Sequence, residues 1–209
     1  MKVIIDNTLR ILNPTKEILD YCKNELEINN PQFTQNQRLG FSTYKIPRRL
    51  YWWEKRGDDI VIPFGCLNNV YTLYPHKEDY SMLIPTPKKI KYKSNIKLYD
   101  YQEEAKNKAL KAKNGVIVMA AGSGKTQTAL QLISELGVKT LWLTHTMDLL
   151  NQSYARAKDN FDDIKISKIA NGKIDISENI TFATVQTLSK VDLSQYKNEW
   201  DCIVVDERT

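Results

Sequence analysis

The sequence predicts an α/β protein, in which a parallel sheet in the second half is preceded by a small α+β domain. Between residues 96 and 209, runs of β-branched residues alternate with segments of helical periodicity, which is typical of βαβ units with helices on both faces of a sheet. Between residues 1 and 75, one helical segment is accompanied by short apolar runs that Pro and Gly separate. Residues 76–95 contain five Lys and are predicted as a linker.

The first part begins with an alternating strand at residues 1–12, and a helix is predicted at residues 14–28. Pro is favoured in the first turn of a helix, and Asn13 is predicted to be the N-cap. Short strands are predicted at residues 51–53, 60–62 and 70–74. Adjacent residues of a strand face opposite sides, so at most one of Trp52 and Trp53 is expected to be exposed for stacking.

The second part is predicted to alternate strands and helices throughout. The predicted strands are residues 115–119, 138–144, 164–169, 180–184 and 201–205. The predicted helices are residues 101–113, 125–136, 147–159 and 185–190. In parallel sheets of this kind, ligands bind beyond the carboxyl ends of the strands. The turn after the first of these strands and the acidic pair after the last can therefore meet at one site.

The turn after the first of these strands has the pattern of a phosphate-binding loop. Residues 119–126 read Met-Ala-Ala-Gly-Ser-Gly-Lys-Thr, and residues 116–118 before them are predicted to form a buried strand. Met119 stands where the pattern has its first Gly. A chance Gly-x-Gly-Lys-Thr in a surface turn is the alternative. The strand before the turn and the helix after it favour the phosphate-binding loop.

Each residue type in this loop has a physical role. Gly122 and Gly124 let the backbone turn without Cβ clashes, so that successive N–H groups point at a polyphosphate. Lys125 is expected to reach the β- and γ-phosphates, and the hydroxyl of Thr126 is expected to ligate Mg²⁺. The loop residues expected to bind ATP are Ala121, Gly122, Ser123, Gly124, Lys125 and Thr126.

Charge and aromatic residues are unevenly distributed along the chain. Residues 1–95 contain 15 Lys and Arg against 10 Asp and Glu, whereas the remainder is balanced at 15 against 15. The first part also holds 12 of the 20 aromatic residues. Cations meet phosphates and rings stack on bases, so this composition suits a nucleic-acid surface. A small domain with an aromatic core and a solvated basic rim is the alternative, and composition does not separate the two.

Composition and cysteine spacing exclude several classes of protein. With 42% hydrophobic and 26% charged residues, the chain is typical of a globular protein. No apolar run approaches the ~20 residues that span a bilayer, and the N-terminus does not have the pattern of a secretion signal. Cys22, Cys66 and Cys202 are too widely spaced for a disulfide framework or a zinc site. We therefore expect a cytoplasmic protein.

The order of the motifs resembles the first RecA-like motor domain of superfamily 2 helicases and translocases. The resemblance is to the branch of excision-repair helicases, phage branched-DNA helicases and restriction-enzyme translocation subunits. These segments of residues 96–209 carry it: Leu98-Tyr-Asp-Tyr-Gln102, the phosphate loop, residues 143–152, residues 182–188 and Val204-Val-Asp-Glu207. It implies an ATP-dependent DNA helicase or translocase with an acidic box of the DEAD/DEAH type, which uses ATP and Mg²⁺ and binds DNA.

The resemblance also implies roles for single residues. Gln102 would contact the adenine edge, Asp206 would hold Mg²⁺ with Thr126, and Glu207 would orient or deprotonate the attacking water. Lys125, Asp206 and Glu207 are thus the catalytic candidates. The candidates for contact with the nucleic-acid backbone are Thr144, Gln152, Thr184 and Gln186. No role is expected for His145.

The first part resembles the small domain that precedes the motor in that branch, where it helps to engage damaged or branched DNA. The matching segments are residues 30–33, 38–40, 47–49 and 62–65. The candidates for DNA contact in this part are Arg38, Lys45, Arg48, Arg49 and Trp52.

The sequence departs from the family pattern at its end. The acidic box of this branch continues Asp-Glu-x-His, whereas here it reads Asp-Glu-Arg-Thr and the sequence stops. No arginine finger follows, and such a residue contributes on the order of 10³–10⁵ in rate in related hydrolases. We therefore expect the isolated chain to bind ATP, to hydrolyse it weakly and to need a second motor domain or a partner protein for unwinding. A fragment and a natural short protein both stay open.

Two other functions compete with a helicase or translocase. The first is a non-enzymatic nucleic-acid-binding or adaptor protein with a vestigial nucleotide lobe, against which the intact Lys125, Thr126, Asp206 and Glu207 argue. The second is a small-molecule kinase, which the upstream Gln102 and the acidic pair disfavour. Nucleotide binding separates the helicase from the adaptor, and stimulation of hydrolysis by DNA separates it from the kinase.

Overall fold

The computed structural model describes residues 1–83, 86–112, 114–170, 173–196 and 198–206. The chain divides into two compact units, of which the first is Met1–Ile84 and the second is Pro85–Thr209. Each unit has its own hydrophobic core. Among the described residues, every helix is too short or too polar to cross a membrane.

The first unit is built on a mixed sheet. Its strands are β1 (Lys2–Ile5), β2 (Thr8–Leu12), β3 (Glu27–Asn29), β4 (Arg49–Tyr51), β5 (Glu54–Arg56), β6 (Asp59–Pro63) and β7 (Tyr80–Met82). Five of them form one sheet in the order β5-β6-β2-β1-β7, in which only β1 and β7 are parallel. The strands β3 and β4 pair separately. This sheet presents its apolar face to the first core, which contains Val3, Leu9, Ile11, Ile18, Cys22, Ile60, Ile62 and Val70.

The helices of the first unit differ from those that the sequence predicted. They are α1 (Lys16–Glu25), α2 (Pro31–Arg38) and α3 (Leu67–Leu73). Asn13 has a φ of +49° and lies outside α1, whose N-cap is Thr15, so the predicted cap is wrong. The segment at 70–74 was predicted as a strand but lies in and just after α3. Val70 is buried one helical turn after the buried Cys66, so its apolar spacing is helical.

The segment predicted as a linker at residues 76–95 contains two pairing strands. Strand β7 joins the sheet of the first unit through β1. In the second unit, Lys93–Ser94 forms β8, which pairs with a later strand, β10 (Phe161–Asp162). The sequence of residues 76–95 does not reveal these two strands, because each is short and pairs with a strand that is distant in sequence.

The second unit is a parallel sheet with helices, and it has the RecA-like α/β architecture that the sequence predicted. Its remaining strands are β9 (Thr140–Thr144), β11 (Ile166–Ile169), β12 (Ile180–Thr184) and β13 (Cys202–Asp206), and its helices are α4 (Asp100–Ala112), α5 (Lys125–Leu136), α6 (Met147–Asn160) and α7 (Val185–Leu188). The sheet order is β11-β12-β9-β13, and every pair is parallel. Trp142 and Phe182 of the central strands are fully buried, and they pack with Leu130, Ile133 and Leu150 of the helices.

The buried strand predicted at residues 115–119 is not present. This segment has no strand assignment, and the side chains of Val116 and Val118 are 89% and 90% exposed. The edge strand β13 is also open, since Ile203 and Val205 are 62% and 56% exposed and β9 is its pairing partner within the described residues. The β-branched content indicates a preference for extended backbone, but burial also needs a neighbouring strand.

Candidate nucleotide and nucleic-acid sites

The Gly-rich loop has the backbone conformation that its sequence predicts. Gly122 and Gly124 have φ values of +77° and +82°, which side chains with a Cβ rarely adopt. Gly124 directly precedes α5, so the N–H groups of the first helical turn face the loop. A Cβ on Gly124 would lie 2.3 Å from Nε2 of Gln102, so the close approach of α4 to the loop also requires Gly.

The side chain of Lys125 folds back onto the loop and bonds its backbone. Its Nζ donates to the carbonyl oxygens of Met119 at 3.1 Å and of Ala120 at 3.3 Å. The hydroxyl of Ser123 donates to the same carbonyl of Ala120 at 2.7 Å. An ammonium held by neutral carbonyl oxygens gains more from an anionic phosphate oxygen, since hydrogen bonds between two charged groups are stronger. The lysine is therefore positioned to exchange these contacts for a polyphosphate.

Thr126 connects the loop to the end of the acidic strand. Its hydroxyl donates to Oδ2 of Asp206 at 3.3 Å, although the two residues are 80 positions apart. The hydroxyl of Ser153 on α6 donates to the same oxygen at 3.2 Å. Register explains the position of Asp206, because it pairs with Thr144 at the end of β9, which in turn pairs with Thr184 at the end of β12. The carboxyl ends of three strands thus meet at this edge.

These oxygen atoms fit a magnesium ion better than a softer metal. Mg²⁺ takes oxygen ligands, and it is commonly held by one or two protein groups together with substrate phosphates. The hydroxyl of Thr126 and the carboxylate of Asp206 supply such a pair. Among the described residues there is no cluster of three or more His, Cys, Asp or Glu that could hold a metal without a phosphate. Glu207, the predicted base, lies outside the described residues.

Gln102 is a buried residue of α4 whose side chain bonds the phosphate loop. Its side chain is only 2% exposed. Its Nε2 donates to the carbonyl of Ser123 at 2.8 Å, and its Oε1 accepts from the N–H of Tyr99 at 2.9 Å. The amide therefore ties the first turn of α4 to the phosphate loop. The predicted adenine contact stays a prediction.

Two tyrosines next to Gln102 were not singled out from the sequence. Tyr99 and Tyr101 are stacked, with 5.9 Å between ring centroids and 9° between planes. They are 70% and 51% exposed, and the hydroxyl of Tyr101 donates to the carbonyl of Ser123 at 3.1 Å. Their spacing of two residues gave no signal of this stacking, because it depends on how α4 begins.

An ion-pair cluster holds α4 against α5. Lys106 is 4% exposed, and its ammonium lies 2.7 Å from Glu103 and also bonds Glu135 of α5. Burial acts to lower the pKa of Lys106, but the hydrogen bonds that its ammonium donates to the two carboxylates, together with their negative charge, outweigh burial and raise the pKa. This cluster fixes the helix that follows the phosphate loop.

The four nucleic-acid candidates of the second unit fall into two groups. Thr144 and Thr184 are buried, and their hydroxyls bond locally, to the carbonyl of Thr146 and to the hydroxyl of Thr187. Gln152 and Gln186, in contrast, are exposed. The amide of Gln186 also lies 3.3 Å from Nδ1 of His145, which the sequence left without a role.

The five candidates of the first unit are all exposed: Arg38, Lys45, Arg48, Arg49 and Trp52. Trp52 is 56% exposed, whereas Trp53 packs against the core and donates its indole N–H to Glu27 at 3.3 Å, which confirms that only one ring faces solvent. Three further exposed rings of this region were not singled out from the sequence: Phe41, Tyr44 and Tyr51, which are 64%, 81% and 61% exposed.

Basic residues and one open cavity mark the same region. Residues 38–53 contain four Lys and Arg and no Asp or Glu. A cavity of about 510 Å³ is lined by Asn29, Pro47, Arg48, Arg49 and Tyr51. Arg49 is 3.3 Å from Glu27, so one of the four cations is partly neutralised. The others have no acidic residue near them in sequence.

A comparison with protein-family models matches residues 95–208 to the family described as type III restriction enzyme, res subunit. Among curated proteins, the chain is 44% identical over 70 residues to the "DNA 3'-5' translocase XPB2" of Sulfurisphaera tokodaii. These 70 residues are 34% of this chain and 16% of that protein. It is 29% identical over 94 residues to the "Putative ATP-dependent RNA helicase L396" of Acanthamoeba polyphaga mimivirus, covering 44% of this chain and 18% of that protein. The matched part is thus less than a fifth of either relative.

Among solved structures, the chain resembles the UvsW helicase from bacteriophage T4. The TM-score is 0.62 at 16% sequence identity, and the match covers 94% of this chain and 79% of that chain. At this identity the likeness shows the fold, which is an α/β domain with a parallel sheet preceded by a smaller domain.

Proposed function

Because the chain belongs to the family of the type III restriction enzyme res subunit, we propose that it is the ATP-binding part of an ATP-dependent DNA helicase or translocase. Its second unit is the N-terminal RecA-like region of a superfamily 2 helicase or translocase. The contact between Thr126 and Asp206 carries the proposal, because it joins the phosphate loop to the acidic strand end at 3.3 Å. The chain spans less than a fifth of the curated relatives it matches, so helicase or translocase activity is proposed and not shown.

The residues of the site divide the work of phosphoryl transfer. The backbone N–H groups of residues 121–126 would bind the phosphates, and Lys125 would neutralise the charge on the β- and γ-phosphates. Thr126 and Asp206 would hold Mg²⁺, which when bound screens charge on the phosphate oxygens. Glu207 would orient the attacking water. Positioning and charge neutralisation supply most of the catalysis in this reaction class.

We assign adenine recognition to Gln102 and, beside it, to the two exposed tyrosines. Gln102 keeps a second amide hydrogen and a second lone pair on Oε1 after its bonds to Ser123 and Tyr99. These are the groups that an adenine edge would use. Tyr99 and Tyr101 present exposed rings beside the same loop. In this proposal, the amide would contact the base in addition to supporting the loop.

We further propose that DNA is the partner of both units. In the first unit, the exposed cations would bind the phosphate backbone, and Trp52 would stack on a base. In the second unit, Gln152 and Gln186 are exposed beyond the carboxyl ends of the strands, whereas Thr144 and Thr184 act by shaping the turns that carry them. A cytoplasmic location completes the proposal, since Cys22, Cys66 and Cys202 are unpaired.

A nucleotide titration tests the proposed function. The purified chain is titrated with a fluorescent ATP analogue in Mg²⁺, and compared with Lys125→Ala and with the matched variant Lys158→Ala on the exposed face of α6. We expect saturable binding that Lys125→Ala loses and Lys158→Ala keeps. Equal binding by all three proteins, or by none, would contradict the proposal.

The DNA contacts are tested separately by salt dependence. We expect Arg48→Gln to weaken binding of a fluorescent DNA and to lower the slope of log affinity against log salt by about 1, since one phosphate contact is lost. Trp52→Ala should weaken binding at every salt concentration without changing the slope, because stacking releases no counterions. Unchanged binding in both variants would exclude this surface.

A further inference from the structure

Ser153 is a buried hydroxyl that reaches from α6 to the acidic strand. It is 3% exposed, and its Oγ donates to Oδ2 of Asp206 at 3.2 Å. None of the sequence motifs includes it. A serine inside a helix usually bonds the carbonyl four residues earlier, which for Ser153 is that of Leu149. Here the hydroxyl instead bonds a side chain of another element.

The carboxylate of Asp206 is held on one side only. Thr126 and Ser153 both donate to Oδ2, from α5 and from α6. Within the part of the chain that the structure describes, no side chain donates to Oδ1. Two donors on one oxygen fix the rotation of the carboxylate, and they leave the other oxygen for a cation or its water shell. The hydroxyl of Thr126 can ligate a cation through a lone pair and still donate its proton.

We propose that Ser153 is a positioning residue that holds Asp206 for Mg²⁺ in the nucleotide site. The inference rests on the proposed function. Groups that hydrogen-bond a metal ligand orient it, and their loss lowers metal affinity about 10- to 100-fold. Because Ser153 is buried and fixed by its helix, its hydroxyl orients the carboxylate without a loss of side-chain freedom on binding.

The position of Ser153 also places α6 between two functions. The helix begins after the end of β9, and its exposed Gln152 directly precedes Ser153. Any shift of α6 on DNA binding at Gln152 would therefore move a donor of Asp206.

The test measures the Mg²⁺ concentration that gives half of the Mg²⁺-dependent gain in binding of a fluorescent ATP analogue. Ser153→Ala and Ser153→Cys remove or weaken the donor, and Ser153→Thr retains a hydroxyl. Ser167→Ala is the matched control, because Ser167 is also buried but bonds the carbonyl of Asp175 away from the site. Binding in EDTA and thermal unfolding are recorded for every variant.

We expect the half-saturating Mg²⁺ concentration to rise about 10-fold in Ser153→Ala and Ser153→Cys. Binding of the analogue in EDTA should stay unchanged in these two variants. Ser153→Thr and Ser167→Ala should keep the half-saturating Mg²⁺ concentration of the wild type. A merely structural role would lower the unfolding temperature and weaken binding in EDTA as well, and that result would overturn the inference. An unchanged Mg²⁺ dependence in both Ser153→Ala and Ser153→Cys would overturn the role of Ser153 and leave the proposed function standing. A wild-type chain without nucleotide binding would overturn it together with the proposed function.

Discussion

The centre and the edge of the second unit's sheet have similar sequences but opposite environments. Strands β9 and β12 bury Trp142 and Phe182 completely, whereas Ile203 and Val205 of the edge strand β13 are more than half exposed. All of these segments are rich in β-branched or aromatic residues. Composition therefore predicts extended backbone, whereas the neighbouring strands and helices decide whether a strand is buried. The proposed nucleotide site lies at the carboxyl end of the edge strand, since Asp206 ends β13.

The largest expected effect comes from the centre of the sheet. Phe182 is fully buried between Trp142 and Tyr154, with ring centroids 5.9 and 5.4 Å away. We expect Phe182→Ala to lower the free energy of unfolding by about 3–5 kcal/mol, because it removes apolar contacts and leaves a cavity. Urea denaturation measures this loss. Ile203→Ala on the open edge is the matched variant, and a loss as large as that of Phe182→Ala would refute the comparison.

The buried ion-pair cluster is expected to have the next largest effect. Lys106→Met leaves Glu103 and Glu135 without their shared cation, which we expect to cost about 2 kcal/mol of unfolding free energy. Lys108→Met on the same helix breaks an exposed pair with Glu104 and should cause no measurable loss. Denaturation at neutral pH measures both variants. Equal losses would mean that burial of Lys106 is unimportant.

Tyr92 provides a smaller effect that depends on pH. Burial raises its pKa to about 12, and its hydroxyl, with one hydrogen to donate, lies 2.8 Å from the carbonyl oxygen of Val138 and 3.2 Å from that of Asn179. An unfolded tyrosine titrates near pH 10. The folded state therefore prefers the neutral phenol, so its contribution is complete below pH 10 and is lost as the pH rises towards 12. Tyr92→Phe should lose about 1 kcal/mol at pH 8 and show a shallower decline above pH 10. If the unfolding free energy of Tyr92→Phe falls above pH 10 as steeply as that of the wild type, Tyr92 does not contribute to this pH dependence.

The open edge is expected to contribute to association instead of stability. Unpaired strand edges with apolar side chains favour pairing between molecules, and an added charge opposes it. We expect Ile203→Lys and Val205→Lys on β13 to leave the free energy of unfolding nearly unchanged and to reduce self-association in sedimentation velocity at high concentration. Leu73→Lys is the control, as it changes an exposed leucine of α3 in the first unit. If the control reduces association equally, the edge has no special role.

The sequence predicted much of the second unit because its signals are local. The helical periodicity of residues 125–136 located α5, and the alternation of elements predicted a parallel sheet that β9, β11, β12 and β13 confirm. The motif order also placed Thr126 and Asp206 at one edge, where they meet.

The errors arose where the structure depends on distant neighbours. Residues 115–119 have the composition of a strand but do not form one, and Val70 lies in a helix although residues 70–74 are mostly β-branched or aromatic. Ser153 had no sequence signal, because its bond to Asp206 depends on how the fold brings α6 near the end of β13. Local patterns therefore locate the loop and the carboxylate, while the groups that orient them have to be read from the fold.

In the function proposed above, the phosphate loop and Asp206 form one Mg²⁺-dependent nucleotide site. The most direct test compares binding of a fluorescent ATP analogue, with Mg²⁺ and with EDTA, in the wild type, in Asp206→Asn and in Asp201→Asn. Asp201 is an exposed acidic residue just before β13 and serves as the matched control. We predict that Asp206→Asn alone loses the gain in affinity that Mg²⁺ provides and keeps the binding seen in EDTA. A full Mg²⁺-dependent gain in Asp206→Asn would contradict the claim.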